Sequence, residues 1–190
     1  MNKSWEHFKL VLTHKKYVFQ FCLKAGLIWR GITHDLSKFS PAEFIESARY
    51  FTGTRSPIEV SKQVNGVSYA WQHHKGRNTH HWQYWLDNGH EGIVARQMPF
   101  EDCVEMICDQ FAAGKAYMKD EWSLEYQYNW WQKRMKVHKS CMHPATFEFA
   151  NRIYEEANDC KNDVDFFFEE IFNHKYLKNL YLYTYYKNIE

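Results

Sequence analysis

The residues best suited to chemistry in this sequence are a histidine and an aspartate that stand side by side, His34-Asp35. Both side chains can bind one divalent cation, because imidazole nitrogens and carboxylate oxygens are common metal ligands. A His-Asp pair alone is usually a surface feature, so a metal site requires further ligands from elsewhere in the chain. Candidate ligands precede and follow the pair: His14, His73, His74, His80, His81 and Asp109.

The segment that carries the first candidate has the spacing of an amphipathic helix. In residues 4–26, large apolar side chains recur at steps of three and four, which predicts a long helix that ends or kinks at Gly26. His14 stands near the middle of this helix, two turns after His7. We therefore expect His14 to be held by a rigid element, as a metal ligand must be.

Two similar motifs predict the next helices. Ser40-Pro41-Ala42-Glu43 and Ser56-Pro57-Ile58-Glu59 each combine a serine cap, a proline at the first helical position and a glutamate that can close a capping box. We expect helices over 41–51 and 57–74. Asn65-Gly66 is a point at which the second helix can be interrupted.

A histidine-rich stretch follows the second of these helices. Residues 76–79 have the composition of a loop, and Asn78 or Thr79 can cap a short helix over 80–87. The four histidines between positions 73 and 81 exceed what helix packing requires. They are therefore candidates for a second metal ion or for the substrate, and the alternative is a surface loop.

The rest of the chain is also helical in pattern. Met98-Pro99 begins a helix to about residue 118, on which Glu105 and Asp109 share a face because they are four residues apart. Further helices are predicted over 123–139, 144–160 and 163–186. No strand pattern, internal repeat or linker is evident. The prediction is an all-α protein with a single domain over 1–190.

Composition limits the classes of partner. Lys plus Arg (24) nearly equal Asp plus Glu (23), and no run of like charge is present, so a general nucleic-acid coating role is disfavoured. No signal peptide and no apolar segment of membrane-spanning length is evident. Five cysteines without a CxxC pair indicate free thiols in a reducing compartment, so we expect a cytoplasmic protein. The aromatic segment 176–186 can pack on the domain or on a second subunit, which leaves a homodimer open.

The candidate ligands also limit the metal. A helical bundle assembles a metal site from inward-facing residues of several helices, which is how these candidates are distributed. Histidine and carboxylate ligands together suit a divalent transition metal, Mn, Fe, Co, Ni or Zn, as one or two ions. Because the pattern contains no cysteine, a structural zinc is disfavoured.

The order His14, His34-Asp35, Asp109 resembles the metal signature of the HD-domain phosphohydrolase superfamily, which has an all-α fold. The segment from His34 to Pro41 is similar to one common in that superfamily. The resemblance covers roughly residues 7–118, which implies an HD-like core over about 4–120 and a C-terminal helical extension over about 121–190. The histidine cluster is similar to small HD-like proteins of phages and bacteria whose substrates are unassigned.

The resemblance implies a metal-dependent phosphohydrolase that acts on a nucleotide or a related phosphate ester. Asp35 would bridge the ions if there are two, and it would share the catalytic role with Lys38 and Glu105. Glu105 would orient His14 or act as an additional ligand. The implied metal ligands are His14, His34, Asp35, His74, His81 and Asp109, and the implied substrate-binding residues are Lys38, Arg77 and His80.

Two other functions fit the same residues. The six-ligand pattern also resembles the mixed-valence di-iron oxygenases built on this fold, although those spread the two middle histidines over separate helices. A non-catalytic binding protein, such as a phage-encoded inhibitor with a structural metal, belongs to a third class. Metal identity distinguishes them, because an iron pair absorbs visible light and a structural ion has no open coordination position.

Overall fold

The computed structural model describes residues 2–187, and its regular structure is almost entirely helical. The all-α class predicted from the sequence is confirmed. The helices are α1 (Lys3–Lys24), α2 (Ile28–Thr33), α3 (Pro41–Tyr50), α4 (Pro57–Asn65), α5 (Tyr69–Arg77), α6 (Phe100–Met118), α7 (Leu124–Gln132), α8 (Met135–Cys141), α9 (Pro144–Asp159), α10 (Val164–Phe166) and α11 (His174–Lys187). Short 3₁₀ segments span Leu36–Phe39, Trp82–Trp85 and Lys119–Glu121, and a π-helical turn spans Phe167–Ile171.

Helix α6 lies at the centre of the molecule and packs on α1, α9 and α11. Most of its apolar residues are buried, and Phe111 is in ring contact with Tyr154 of α9 and with Phe167 and Phe172 beyond α10. These rings belong to one hydrophobic cluster that extends from α1 to α11. The C-terminal helices therefore share the core of the N-terminal helices that carry the candidate ligands.

Three predicted helical segments are interrupted in the structure, the first of them at Asn65-Gly66, where the sequence indicated a possible break. The segment 57–74 forms α4 and α5, because Gly66 adopts a left-handed conformation (φ 76°) that ends α4. The segment 123–139 breaks between α7 and α8, and 163–186 breaks before α11. At the last break the Asn173 amide donates to the carbonyls of Glu169 and Glu170, and its oxygen accepts from the Tyr176 N–H. Such side-chain caps compete with helix continuation.

The predicted short helix over 80–87 was wrong. This region contains a 3₁₀ turn followed by an antiparallel hairpin of β1 (Leu86–Gly89) and β2 (Gly92–Ala95), with Leu86 opposite Ala95. The alternating stretches are too short to be recognised as strands by periodicity. Asn78 and Thr79 cap no helix here, because both side chains are hydrogen-bonded across the histidine cluster to other elements.

Ser40 and Ser56 occupy the N-cap positions and both prolines lie in the first turn of their helices, as predicted, but the expected capping hydrogen bonds are absent among the described residues. Ser40 Oγ is buried without a hydrogen-bond partner among the same residues. Glu43 does not close a capping box. Its carboxylate instead contacts His73 and His74 of α5.

Glycine at position 31 allows α2 to approach α1 closely. A Cβ atom at Gly31 would lie 2.9 Å from the Cys22 Cβ and 3.1 Å from the Phe19 Cα. Both distances are shorter than normal van der Waals contacts. Because the His-Asp pair directly follows α2, this contact places it beside the helix that carries His14.

The described helices include none with both the length and the apolar character needed to cross a membrane.

Replacing Gly31 by alanine is expected to destabilise the fold by about 1–3 kcal/mol, because the added methyl group overpacks the α1–α2 contact. Urea denaturation monitored by circular dichroism measures this change. Gly76→Ala is the matched control, since Gly76 lies in α5 with no atom within 4 Å of an added Cβ. The control should be neutral or stabilising, and equal loss in both variants would contradict the close-contact argument.

Candidate metal centre

Seven buried or half-buried side chains form two potential metal-binding groups. Within each group, one ligand atom of every residue lies within 4.8 Å of those of the others. The first ligand group is His14, His34, Asp35 and Asp109, and the second ligand group is Asp35, His74, His80 and His81. The structure therefore brings together all six residues assigned as ligands from the sequence, and it adds His80.

Asp35 belongs to both groups, and its two oxygens face in different directions. Oδ2 lies 3.1 Å from His34 Nε2 in the first ligand group. Oδ1 lies 3.4 Å from His74 Nε2 and 3.5 Å from His80 Nε2 in the second ligand group. A carboxylate in this position can bridge two cations.

The backbone around Asp35 is held in an unusual conformation. Asp35 has a φ of 51°, in the left-handed region that aspartate tolerates better than most residues. Lys15 of α1 stabilises the preceding turn, because its Nζ donates to the carbonyl oxygens of Ile32 (2.8 Å) and His34 (2.7 Å). These two contacts satisfy carbonyls at the end of α2 that lack helical partners.

Two glutamates orient the histidines from behind. Glu105 Oε1 lies 2.9 Å from His34 Nδ1 and 3.3 Å from His80 Nδ1, and Glu43 Oε2 lies 2.7 Å from His74 Nδ1. When Nδ1 donates to a carboxylate, the lone pair of Nε2 is free to bind a metal. Glu105 contacts His34 and not His14, so the expected role of orienting His14 was wrong. Its alternative role as an additional ligand stays a prediction, because Glu105 forms a third potential metal-binding group with His34 and His80.

His14 instead contacts Asp109 directly. Its Nε2 atom lies 3.0 Å from Asp109 Oδ1, which in turn lies 3.4 Å from His34 Nε2. Helix α1 presents His14 to this point, and α6 presents Asp109 one turn after Glu105. The first ligand group is thus assembled where α1, α6 and the turn after α2 meet.

A further ion pair holds Glu105 and the histidine loop in place. Arg30 NH1 lies 2.7 Å from Asp102 Oδ1 and 3.1 Å from Glu105 Oε2. The Thr79 hydroxyl donates to the same Asp102 oxygen, and Thr79 directly precedes His80. Sequence reasoning missed Lys15, Arg30, Glu43 and Asp102. The acidic spacing 102, 105, 109 on one helix face was the signal that could have identified Asp102.

Several polar atoms of the two groups are buried without a hydrogen bond of normal geometry among residues 2–187. They are His14 Nε2, His34 Nε2, both Oδ atoms of Asp35, His80 Nε2 and His81 Nε2. An unpaired buried polar group costs roughly 1–3 kcal/mol. Divalent cations in the two groups would satisfy these atoms together, so the donor set fits a transition metal.

The carboxylates of the centre stay ionised despite their burial. Burial raises the pKa of a carboxyl group, but interactions with His34, Lys38 and His74 outweigh this effect and hold the pKa of Asp35 well below its usual value. Hydrogen bonds from His14 and His34 likewise outweigh burial and hold the pKa of Asp109 well below its usual value. Ionised carboxylates are the form that binds a cation.

The same charges act on the residues behind the first ligand group. Burial would lower the pKa of His34, but Asp35 and the hydrogen bonds with Asp109 and Glu105 raise it well above its usual value. Burial would raise the pKa of Glu105, yet hydrogen bonds from His34 and His80 lower it to about 2. A divalent cation would compete with a proton for His34 Nε2, since both are attracted by the same carboxylates.

Two other histidines are kept neutral. Burial lowers the pKa of His14 to about 4, and the charge of Lys38 adds to this effect. Burial, together with the neighbouring His80 and His74, holds the pKa of His81 well below its usual value. Neutral imidazole is the form that binds a metal.

A cavity of about 600 Å³ opens directly onto the two groups. Its wall includes His14, Lys38, Glu43, His74, His81 and Asp109. His34, Asp35, His80 and Glu105 do not line it, so they lie on the protein side of the centre. Arg77, which was predicted to bind substrate, is exposed and does not line the cavity.

Comparison with known proteins identifies the family. Residues 3–156 match DUF5662, which is described as a family of unknown function. The protein belongs to DUF5662. The match covers every residue of both ligand groups and ends within α9. No curated protein and no solved structure matches the chain.

Asp35→Asn is expected to reduce binding of both ions in this DUF5662 protein, because Asp35 is shared by the two groups. His81→Ala is expected to reduce binding of one ion only. Metal content after reconstitution with Mn²⁺, Co²⁺ or Zn²⁺ and dialysis measures both effects. His90→Ala, which removes an exposed hairpin histidine, is the control. Equal metal content in wild type and Asp35→Asn would contradict a shared carboxylate.

Glu105→Gln is expected to lower metal affinity by roughly 10–100-fold, because loss of an orienting carboxylate weakens the histidines that it holds. Titration of the metal-free protein with Co²⁺, followed by visible absorption, measures the affinity. Glu101→Gln is the control, since Glu101 is exposed on the same helix. An unchanged affinity would show that Glu105 serves packing alone.

Proposed function

We propose that this protein is an HD-like metal-dependent phosphohydrolase with two ions, acting on a small phosphate ester. The observation that carries the proposal is the pair of ligand groups joined by Asp35 beside a cavity that contains Lys38. Bound divalent ions would activate a water molecule and stabilise negative charge on the phosphoryl oxygens. The chain's own residues would hold the ester and keep the ligands in their binding forms.

Lys38 is the residue best suited to bind the phosphoryl group. Its Nζ atom lies 2.6 Å from Asp35 Oδ2, and its side chain lines the cavity. Burial would lower the pKa of Lys38, but Asp35 and Asp109 raise it above its usual value, so the ammonium group is charged. The charged Lys38 side chain would repel a metal ion bound by Asp35 unless an anion lay near both of them. A phosphoryl oxygen of the substrate would be that anion.

The protein side of the centre would act by positioning. Glu105 fixes the ring orientation of His34 and His80 and does not line the cavity, whereas Glu43 orients His74 from the cavity wall. Glu105 is therefore a positioning residue in this proposal and not the catalytic residue expected from the sequence. His80 contributes Nε2 to the second ligand group, so it would bind a metal and not the substrate.

A di-iron oxygenase is the second candidate. The sequence spacing of the middle histidines counted against it, and in the structure His74 lies on α5 and His80 and His81 lie in the turn that follows. The middle histidines thus lie on one helix and the turn that directly follows it, not on separate helices, so the objection from their spacing stands. An oxygenase that acts on a neutral substrate has no use for the charge of Lys38, and this favours the hydrolase.

A non-catalytic protein with a structural metal fits less well. Structural sites are closed by protein ligands, whereas His14, His74, His81 and Asp109 border an open cavity. Incoming molecules would therefore have access to both ligand groups from that side.

Lys38→Met is expected to leave both ions bound and to lower phosphate release by roughly 30-fold, which corresponds to loss of a contact worth about 2 kcal/mol with a charged group. Hydrolysis of a panel of phosphate monoesters and nucleotides, with Mn²⁺, Mg²⁺ or Co²⁺, measures the rate. Metal content is measured on the same samples. Lys16→Met is the control, because Lys16 is exposed on α1 and does not line the cavity.

Three outcomes would contradict this role. Unchanged turnover in Lys38→Met would remove Lys38 from the reaction, and loss of metal would make it a positioning residue for Asp35. No phosphate release by wild type, together with bound iron, visible absorption and oxygen uptake, would favour the oxygenase.

A further inference from the structure

Three positive side chains line the cavity in addition to Lys38. They are Arg55 in the loop between α3 and α4, Lys62 on α4, and Arg134 between α7 and α8. Arg55 and Arg134 are exposed and Lys62 is half-buried, whereas five of the seven candidate metal ligands are buried. The three cations therefore mark the open end of the cavity, which we call the cationic mouth.

The charges of the cationic mouth are largely uncompensated within residues 2–187. The hydrogen bond of Arg55 is to the neutral Gln63, at 2.7 Å. Arg134 makes no ion pair with any described residue and lies over the Trp130 ring, at 4.3 Å. The one carboxylate in contact with these cations is that of Glu59, which is exposed and 3.5 Å from Lys62. An anion that enters the cavity therefore meets an excess of positive charge.

Two of the aromatic rings that line the cavity are in contact with cations of the mouth. Lys62 Nζ lies 4.8 Å from the centre of the Trp71 ring, and His81 contacts the same ring edge-on. Trp130 is covered by Arg134. Lys62 and Arg134 are each oriented by a ring, and a guanidinium stacked in this way still presents its N–H edge to an anion. These cations can therefore bind negative charge while they stay on their rings.

We propose that the cationic mouth is a second anion subsite, and that the substrate carries a phosphate or carboxylate group distant from the scissile phosphate ester. This inference rests on the proposed phosphohydrolase function and narrows its substrate class to compounds with two separated anionic groups. The cavity volume of about 600 Å³ accommodates such a molecule, since small-molecule sites commonly measure roughly 300–1,000 Å³.

A general attraction of anions is the competing explanation. Charges at a cavity entrance raise the local concentration of any anion without a specific contact. Such an effect depends on total charge and falls with ionic strength, and it does not depend on the distance between two anionic groups. Probes that differ only in the presence and spacing of a second anionic group therefore separate the two explanations.

Calorimetric titration of the Mn²⁺-loaded protein provides the test. The probes are alkylphosphonates and α,ω-alkanediphosphonates of increasing chain length, with ω-phosphonocarboxylates as the carboxylate counterpart. The variants are Arg55→Gln, Lys62→Met and Arg134→Gln. Lys136→Met is the control, because Lys136 is exposed on α8 close to Arg134 in sequence and does not line the cavity.

At one chain length, we expect a doubly anionic probe to bind wild type at least about 10-fold more tightly than the matching monophosphonate does. The mouth variants should lose this advantage and keep their affinity for the monophosphonate, and the control should keep both. The better of the two doubly anionic series identifies the distal group as phosphate or carboxylate.

Three other kinds of result would overturn the subsite, the hydrolase or the substrate class. If doubly anionic probes bind more tightly at every chain length, or if Lys136→Met reduces their affinity as much as the mouth variants do, the subsite is overturned in favour of general attraction. Phosphate release from simple monoesters without any doubly anionic advantage would overturn the subsite and leave the hydrolase intact. If doubly anionic probes bind more tightly at one chain length but no ester is hydrolysed, the mouth is an anion subsite and the protein is not the proposed hydrolase. The proposed substrate class would then also be overturned, because it rests on hydrolysis.

Discussion

The buried carboxylate of Asp35 is the constraint on which the arrangement of the N-terminal helices depends. A carboxylate in the interior requires positive charge or hydrogen-bond donors on every side, because the cost of removing it from water is large. Side chains from the turn after α2, from α5 and from the loop that follows α5 converge on its two oxygens. Displacing one of these elements would leave a buried charge uncompensated, so the packing of these elements and the geometry of the centre are specified together.

Helix α6 connects this polar centre to the hydrophobic core. Asp102, Glu105 and Asp109 recur at steps of three and four along one face, and Ile107 and Phe111 lie on the opposite side among apolar and aromatic residues. Both faces therefore fix the rotation of α6 about its axis. If the helix rotated in either direction, carboxylates would enter the apolar core or Phe111 would leave it. A rigid helix with two specified faces is a suitable support for metal ligands, whose positions must be accurate.

Sequence reasoning recovered those parts that are determined locally. Apolar periodicity identified α1 and α6, and Pro144 marked the start of α9. The first ligand group was not determined locally, since its four residues were assigned together only through the resemblance to the HD-domain superfamily. Glu43 shows why the remainder was missed. Its position after Ser40-Pro41 fits a capping box, yet its carboxylate is used by His73 and His74, because a tertiary partner outweighs the local cap. Lys15 and Arg30 were equally hidden, since their partners lie at least 17 residues away along the chain.

The centre is solvated from one side only, and this asymmetry bears on its chemistry. His34, Asp35 and His80 lie behind the centre, fixed by Glu105 and by the ion pair between Arg30 and Asp102. The opposite side faces the cavity that contains Lys38. A ligand exchanged during a reaction would therefore come from the cavity, whose wall carries the positive side chains of Lys38, Arg55, Lys62 and Arg134 as well as the carboxylates of Glu43, Glu59 and Asp109. Divalent cations bound beside this nearly balanced set would shift it toward positive charge and so favour an anion over a neutral or cationic molecule.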